Sequence, residues 1–240
     1  MKLYLLGEPP EWPEHAIPIA YPQEAEGDYY LHWQHDTYYL CDYQQRHPPL
    51  TLDFSDAKYS QRSGSETLPK ALRGMTEAHI VDATAGWGKD AWLLASRGFS
   101  LTLYERNPYL HTLLATALHQ AQNNTKTAII ANRLQLVHAD AACVLQPNSV
   151  DAVYLDPMYP ERRKNAKVKK HMQALQQLLG SEENDGATLL SRARLAAKQR
   201  VIVKRPQHAA PLAEAPPSYS IHAPNTRYDI YQTRLPSANN

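Results

Sequence analysis

The chain has 240 residues, of which 43% are hydrophobic and 20% charged, and its formal net charge is +1. This composition is typical of a folded globular protein and excludes a wholly disordered chain. No stretch approaches the roughly 20 consecutive apolar residues of a membrane helix, and Pro and Glu break the N-terminal apolar stretch early, unlike in a signal peptide. Cys41 and Cys143 show neither metal-ligand spacing nor a disulfide framework, so we expect a cytoplasmic protein without a metal site.

The near-zero net charge hides a strong asymmetry along the chain. Residues 1–75 carry eleven acidic and six basic side chains, whereas residues 158–210 carry twelve basic and four acidic ones. Six of those basic residues lie together between Arg162 and Lys170. A short charged run of this kind is typical of a solvated helix face. It is equally compatible with a local polyanion site, because phosphate contacts depend on local charge and not on net charge.

The first part of the chain differs in texture from the rest. Residues 1–60 are rich in Pro, Tyr, Trp and His, with short alternating runs at Tyr29–Trp33 and Thr37–Cys41. We therefore predict a small N-terminal α/β or β-hairpin lobe over residues 1–60 and a larger domain over residues 61–240. A helix is expected at Glu66–Arg73, close to the boundary.

The larger domain alternates strand and helix signals. Strands are predicted at His79–Ala83, Ser100–Tyr104, Leu134–His138, Val150–Leu155 and Arg200–Lys204, and helices at Asp90–Arg97, Pro108–Gln122, Lys167–Leu179 and Thr188–Ala197. Tyr219–His222 and Arg227–Thr233 are expected to form a terminal antiparallel pair. The alternation predicts an α/β fold, a mainly parallel seven-stranded sheet with helices on both faces. In such a sheet ligands bind beyond the carboxyl ends of the strands.

A glycine turn follows the first of these strands, in the segment Val81-Asp-Ala-Thr-Ala-Gly-Trp-Gly-Lys-Asp90. Gly86 and Gly88 allow a tight turn and a close approach of the backbone to a ligand. The flanking acids Asp82 and Asp90 would repel a pyrophosphate and favour a cationic or zwitterionic ligand. The turn therefore predicts a nucleoside-type site that differs from the dinucleotide fingerprint.

Two further acids lie at the ends of the next strands. Glu105 follows Gly86 by 19 residues, where a carboxylate can accept both hydroxyls of a ribose, and Asp140 lies where it can reach the edge of an adenine. Each acid alone is more often a solvated loop residue or a helix cap. Together they resemble the S-adenosylmethionine site of Rossmann-like methyltransferases, whose cationic sulfonium suits an acidic turn.

The fourth strand of the larger domain ends in Asp156-Pro157-Met158-Tyr159. This segment resembles the D/N-P-P-Y/F motif of methyltransferases that act on exocyclic amines, and it departs from that motif at Met158. A carboxylate such as Asp156 can accept an N–H of the amine, Pro157 stiffens the turn, and Tyr159 can stack on a base. We therefore predict Asp156, Pro157 and Tyr159 as catalytic residues.

Four segments in register carry a more specific resemblance. DATAGWGKDAWLLASRG, LYERNP, VYLDPMYPERRKNAKVKKHMQALQQLLG and RVIVKRP are similar to the bacterial ribosomal RNA small subunit methyltransferase J family, over about residues 60–235. The resemblance implies a Rossmann-like class I methyltransferase fold. It also implies S-adenosylmethionine-dependent methylation of the N2 amine of one guanosine near the 3′ end of 16S rRNA, with S-adenosylhomocysteine as product.

The resemblance also assigns residues to this site. Together with the turn residues, the implied cofactor-binding set is Asp82, Gly86, Lys89, Asp90, Glu105, Arg106, Asp140, Ala141 and Asp156. The implied RNA-binding set is Arg162, Arg163, Lys164, Lys167, Lys169, Lys170, Lys204 and Arg205, the last two of which could instead close the pocket. The expected partner is 16S rRNA or the small ribosomal subunit, with the protein a monomer or a weak dimer that needs neither a membrane nor a metal.

Three other functions fit parts of the pattern. An amine methyltransferase could act on DNA or a small molecule, and competition between ribosomal RNA, duplex DNA and free bases separates these substrates. A nucleotide-dependent oxidoreductase would bind NAD(H) more tightly than S-adenosylmethionine. A non-catalytic RNA-binding protein would bind RNA saturably without methyl transfer.

Overall fold

The computed structural model describes residues 1–56, 67–75, 77–157 and 185–233. Its strands are β1 Leu3–Leu6, β2 Ala16–Ile19, β3 Tyr29–Gln34, β4 Thr37–Asp42, β5 Ile80–Asp82, β6 Leu101–Glu105, β7 Leu134–His138, β8 Val150–Leu155, β9 Ala197–Pro206, β10 Tyr219–His222 and β11 Thr226–Gln232. Its α-helices are α1 Thr67–Ala71, α2 Lys89–Ser96, α3 Pro108–Gln122, α4 Ala128–Ala131, α5 Ala141–Val144 and α6 Asp185–Ala196. Short 3₁₀ turns lie at Pro22–Glu24 and Leu212–Glu214.

The larger sheet has seven strands in the order β10-β11-β9-β8-β5-β6-β7. The five strands from β9 to β7 run parallel, and β11 pairs antiparallel with both β9 and β10. The chain therefore moves from β5 outward in one direction through β6 and β7, and then from β8 outward in the other. The predicted mainly parallel seven-stranded sheet is confirmed, and its switch point lies between β5 and β8, where a ligand crevice is expected.

Successive side chains of the central strands enter two different cores. Ile80 of β5 and Tyr154 of β8 pack with α1, α2 and α3, whereas Val81 and Val153 pack with the apolar face of α6. This alternation follows from the two-residue period of a strand. Both faces are thus covered, which explains why β8 is apolar at nearly every position.

The N-terminal residues form a second sheet of four strands in the order β2-β1-β3-β4. The hairpin of β3 and β4 agrees with the sequence-based expectation, whereas β1 and β2, which pair in parallel, were not predicted. Strand β2 is four residues long and contains Pro18, which lacks an N–H and is tolerated because β2 lies at the edge. Such a short strand leaves little periodicity to read.

The small sheet shares its core with the larger domain. Leu5, Leu31 and Leu40 belong to the same buried cluster as residues of α2 and α3. The Tyr109 hydroxyl at the start of α3 donates to the carbonyl of Tyr29 at 3.1 Å and accepts from the N–H of Tyr4 at 3.2 Å. The division at residue 60 stays a prediction.

Other differences from the predicted elements are small. The short helices α4 and α5 were not predicted, β9 is longer at both ends than Arg200–Lys204, and the expected helix at Lys167–Leu179 lies outside the described residues. The predicted pair of β10 and β11 is confirmed by its antiparallel register.

Candidate active site

Three of the predicted site residues, Asp82, Glu105 and Asp156, lie at the carboxyl ends of β5, β6 and β8. Thr84, just beyond β5, links two of them: its N–H donates to the Asp82 carboxylate at 3.0 Å and its hydroxyl accepts from the N–H of Asp156 at 2.7 Å. The loops after β5 and β8 are thereby joined across the switch point. Thr84 was not among the predicted residues, although its place two positions after Asp82 is typical of a turn in which a carboxylate accepts from the backbone.

The glycine turn has the backbone conformation that its sequence predicts. Gly86 and Gly88 have φ angles of 52° and 64°, in the left-handed region. A Cβ at Gly88 would lie 2.7 Å from a methyl carbon of Leu114 and 3.3 Å from the ring of Phe54. The second glycine is therefore required both by its conformation and by the packing of α2 on α3.

Asp82 is a buried carboxyl group with other acidic side chains nearby. Its carboxylate accepts a hydrogen bond from the Thr84 N–H, which lowers its pKa. Burial and the carboxylates of Asp90, Asp156 and Glu105 outweigh this effect and raise the pKa to about 8. Asp82 is therefore mostly protonated at neutral pH, and it adds less negative charge to the pocket than its sequence suggests.

This raised pKa makes a prediction for stability against pH. Between the ordinary Asp pKa of 3.8 and about 8, the folded protein holds a proton on Asp82 that the unfolded chain has lost. Rising pH through that window therefore lowers stability, by up to about 1.4 kcal/mol per pH unit from this group. Asp82→Asn removes this slope, so its unfolding free energy relative to wild type should rise by about 2 kcal/mol between pH 5.5 and 7.5 in urea titrations. Parallel pH curves for the two proteins would show that Asp82 is ionised when folded.

Glu105 ends β6 and is 5% exposed. Its Oε2 accepts from the N–H of Gly86 at 2.8 Å, and its Oε1 accepts from the N–H of Asn107 at 2.7 Å. Burial raises the pKa of Glu105, and these backbone N–H groups oppose the rise. The carboxylate thus holds the glycine turn in place while each oxygen keeps further acceptor capacity for a ligand hydroxyl.

A half-buried lysine, Lys204, joins the start of α2, after the glycine turn, to the loop after β8. The Lys204 ammonium lies 2.7 Å from Asp90 Oδ2 and 2.8 Å from Asp156 Oδ2. The hydroxyl of Tyr154, which is 1% exposed, donates to the same Asp90 oxygen at 2.7 Å. Burial opposes the charge on Lys204, but the two carboxylates outweigh this effect and raise its pKa.

Asp140 and its neighbours lie at the end of β7, farther out in the crevice. The Asp140 side chain caps α5 by accepting from the N–H of Ala142 at 2.8 Å, and it pairs with Arg106 at 3.3 Å. Ala141 is buried. These residues occupy the expected strand end, but the Asp140 side chain also has the capping role that its type favours.

Of the predicted RNA-binding residues, the structure describes Lys204 and Arg205. Lys204 faces the acids of the pocket, and the Arg205 guanidinium is buried and donates to the carbonyl of Ala210 at 2.8 Å and 3.1 Å. Met158, Tyr159 and the six cations between Arg162 and Lys170 lie outside the described residues, so the structure describes Asp156 and Pro157 but not Tyr159 in the catalytic motif.

The described part of the chain shows neither a metal site nor a membrane helix. Within residues 1–56, 67–75, 77–157 and 185–233, no group of three His, Cys, Asp or Glu side chains is arranged to hold a metal ion. No helix in these ranges is long and apolar enough to cross a membrane.

Comparison with known proteins places the chain in a family. A model of a family described as putative SAM-dependent methyltransferases matches residues 16–233. The ribosomal RNA small subunit methyltransferase J of Hydrogenovibrio crunogenus is 44% identical over 193 residues, covering 76% of this chain and 70% of that protein. The protein of the same name from Neisseria meningitidis is 39% identical over 224 residues, covering 90% and 88%.

A solved structure shows the same fold over nearly the whole chain. The crystal structure of a SAM-dependent methyltransferase from Neisseria gonorrhoeae is 29% identical, covers 99% of this chain and 97% of its own, and superposes with a TM-score of 0.75. The chain therefore belongs to the family of S-adenosylmethionine-dependent methyltransferases that includes the ribosomal RNA small subunit methyltransferases J.

Proposed function

We propose that this methyltransferase modifies the exocyclic N2 amine of one guanosine near the 3′ end of 16S rRNA in the small ribosomal subunit. The observation that carries the proposal is the position of Asp156, at the carboxyl end of β8 beside the glycine turn, at the start of an amine-methyltransferase motif. The choice of ribosomal RNA as the substrate rests on the names of the relatives, which are ribosomal RNA small subunit methyltransferases. This substrate implies a cytoplasmic protein, and a monomer or weak dimer stays a prediction.

The residues of the pocket fit the cofactor of the family. The carboxylates of Glu105, Asp90 and Asp156 outnumber the Lys204 cation among them, which gives the crevice a negative potential that favours a ligand with a positive sulfonium and an amino group. Glu105 would hold the ribose hydroxyls of the cofactor. Asp90 and Lys89 would lie near its amino-acid part, and Asp140 would face its adenine. When bound there, S-adenosylmethionine supplies an electrophilic methyl group.

Asp156 would hold the target amine. Its Oδ2 is engaged by Lys204, whereas its Oδ1 accepts no hydrogen bond from the described part of the chain. The side chain is 39% exposed, so an amine can reach it. An ionised carboxylate at this point accepts an N–H of guanine and directs the nitrogen lone pair, and such positioning supplies much of the rate enhancement. Tyr159 would stack on the base, as its sequence position suggests.

The cations between Arg162 and Lys170 follow this motif directly in the sequence, where RNA phosphates would pass. Changing all six to glutamine should weaken RNA binding by about tenfold or more at moderate salt and make the salt dependence shallower. Cofactor affinity should be unchanged. Filter binding of a 16S rRNA fragment across a salt series measures the first effect, and calorimetry with the cofactor measures the second. Equal RNA affinities and equal salt slopes for both proteins would refute a role for this segment.

Methyl transfer itself is tested with labelled S-adenosylmethionine and small-subunit RNA from a strain that lacks this gene. We expect label in N2-methylguanosine after digestion to nucleosides, at a single position near the 3′ end. Unlabelled duplex DNA and free guanine should not compete. Label at another base, or efficient competition by DNA, would favour the alternative amine substrates, and saturable RNA binding without label would favour a non-catalytic protein.

A further inference from the structure

The side chain of Lys204 connects two segments that are far apart in the sequence. Its ammonium donates to Asp90 at the start of α2 and to Asp156 after β8, at distances of 2.7 Å and 2.8 Å. The side chain is 24% exposed, and that of Asp90 is 17% exposed. Charge-assisted hydrogen bonds in so protected a place are strong and hold both acceptors in defined orientations.

This arrangement does not suit a lysine whose task is to bind RNA. Two of its three donors already serve carboxylates within the protein, and turning the lysine outward to RNA would break both of these charge-assisted hydrogen bonds in a partly buried site. The geometry instead suits a lysine that bridges the two carboxylates and controls their orientation and ionisation.

The charged and polar groups around Asp156 show how Lys204 affects its ionisation. Lys204 of β9 contacts the Asp156 carboxylate directly, and Arg205 of β9, Asp90 of α2 and Tyr154 of β8 are near enough to interact with it electrostatically. Asp82 lies at the end of β5, joined through Thr84. Desolvation within the crevice and the Asp90 carboxylate raise the pKa of Asp156, and Lys204 is the main group opposing them. A protonated Asp156 would donate a hydrogen bond where the target amine needs an acceptor.

We propose that Lys204 is a positioning residue for methyl transfer. By donating to both Asp156 and Asp90, which follows the glycine turn, it keeps the Asp156 carboxylate ionised and oriented. This inference rests on the proposed function, because it assumes that Asp156 holds the amine. It replaces the expectation that Lys204 binds RNA.

The test compares Lys204→Met with Lys204→Arg and with Lys198→Met as a matched control. Lys198 lies on the same strand, is 41% exposed, and approaches Asp151 only at 4.0 Å. Single-turnover methyl transfer to small-subunit RNA is measured from pH 6 to pH 9 with both substrates saturating, together with RNA and cofactor dissociation constants.

Lys204→Met should lower the transfer rate about 100-fold at pH 7. The deficit should shrink as pH rises, because the acidic limb of its pH profile moves upward when Asp156 loses its cation. Lys204→Arg should recover most of the rate and the wild-type limb, and Lys198→Met should match wild type. RNA affinity should be unchanged in all three variants.

Two results would overturn the inference. One is a Lys204→Met protein with wild-type rates at every pH. The other is a loss that appears only as weaker RNA binding and disappears at saturating RNA. If Lys204→Met does not fold, as judged by thermal melting, Lys204→Gln is measured in its place with the same expectations. Failure of wild-type protein to methylate the RNA would instead refute the proposed function, so the two failures are distinguishable.

Discussion

Replacing Asp156 with asparagine should lower kcat for methyl transfer by about 10²–10³-fold while changing the cofactor dissociation constant by less than about tenfold. The amide keeps the size of the side chain but loses its charge. Its NH₂ group would face either the Lys204 ammonium, which now lies at the carboxylate, or the N–H of the target amine. Both arrangements set donor against donor, so the amine is no longer held for attack.

Asp151→Asn is the matched control for this experiment. Asp151 lies on the same strand, accepts from the N–H of His79 at 2.9 Å, and is placed well before the carboxyl end of β8. Its asparagine variant keeps an acceptor for that bond and should transfer methyl groups like wild type. Rates are measured in single turnover with saturating RNA and cofactor, so that product release does not mask the chemical step. An Asp156→Asn protein within about threefold of wild type would show that the carboxylate does not position the amine.

Replacing Glu105 with glutamine should weaken cofactor binding by about 10–100-fold. The buried carboxylate accepts from the N–H groups of Gly86 and Asn107, one on each oxygen. Glutamine has only one oxygen, so its NH₂ group must face one of these backbone donors, and the glycine turn loses an anchor. The same substitution removes a charged acceptor from the proposed ribose site. Hydrogen bonds to charged groups contribute about 1.5–3 kcal/mol, which corresponds to this range of affinity.

Isothermal titration calorimetry with S-adenosylhomocysteine measures the effect without turnover. Asp36→Asn serves as a control, because Asp36 is exposed in the turn between β3 and β4 and its left-handed backbone suits asparagine equally well. Urea unfolding of Glu105→Gln separates a local loss of affinity from unfolding, since the variant should remain folded at 25 °C. Wild-type affinity in a folded Glu105→Gln protein would exclude Glu105 from the cofactor site.

The positions of Asp82, Glu105 and Asp156 at the strand ends follow from local sequence signals. Asp82 and Glu105 are the last residues of short strands and Asp156 directly follows another, and the carboxyl ends of neighbouring parallel strands lie at one edge of a sheet. Such a rule needs only the strand boundaries. The structure agrees with those boundaries to within one or two residues for β5, β6, β7 and β8.

The contacts of Lys204 could not be predicted from the sequence. A Lys-Arg pair at a strand end is a common pattern of a nucleic-acid contact, and the neighbouring residues in the sequence give no sign to the contrary. Its actual partners lie 114 and 48 residues away along the chain. Only the placement of β9 beside β8, and of α2 over the same edge, brings the lysine between Asp90 and Asp156.

The sequence by itself thus determined the alternation of strands and helices, the positions of the acids and the family, because periodicity, turn residues and motif spacing are encoded within short segments. The tertiary structure decided how these segments act on one another. It set β8 beside β5, packed the unpredicted strands β1 and β2 into a sheet against α3, buried Asp82 so that it keeps its proton, and turned Lys204 inward. These properties depend on desolvation and on contacts between distant residues, which no local pattern specifies.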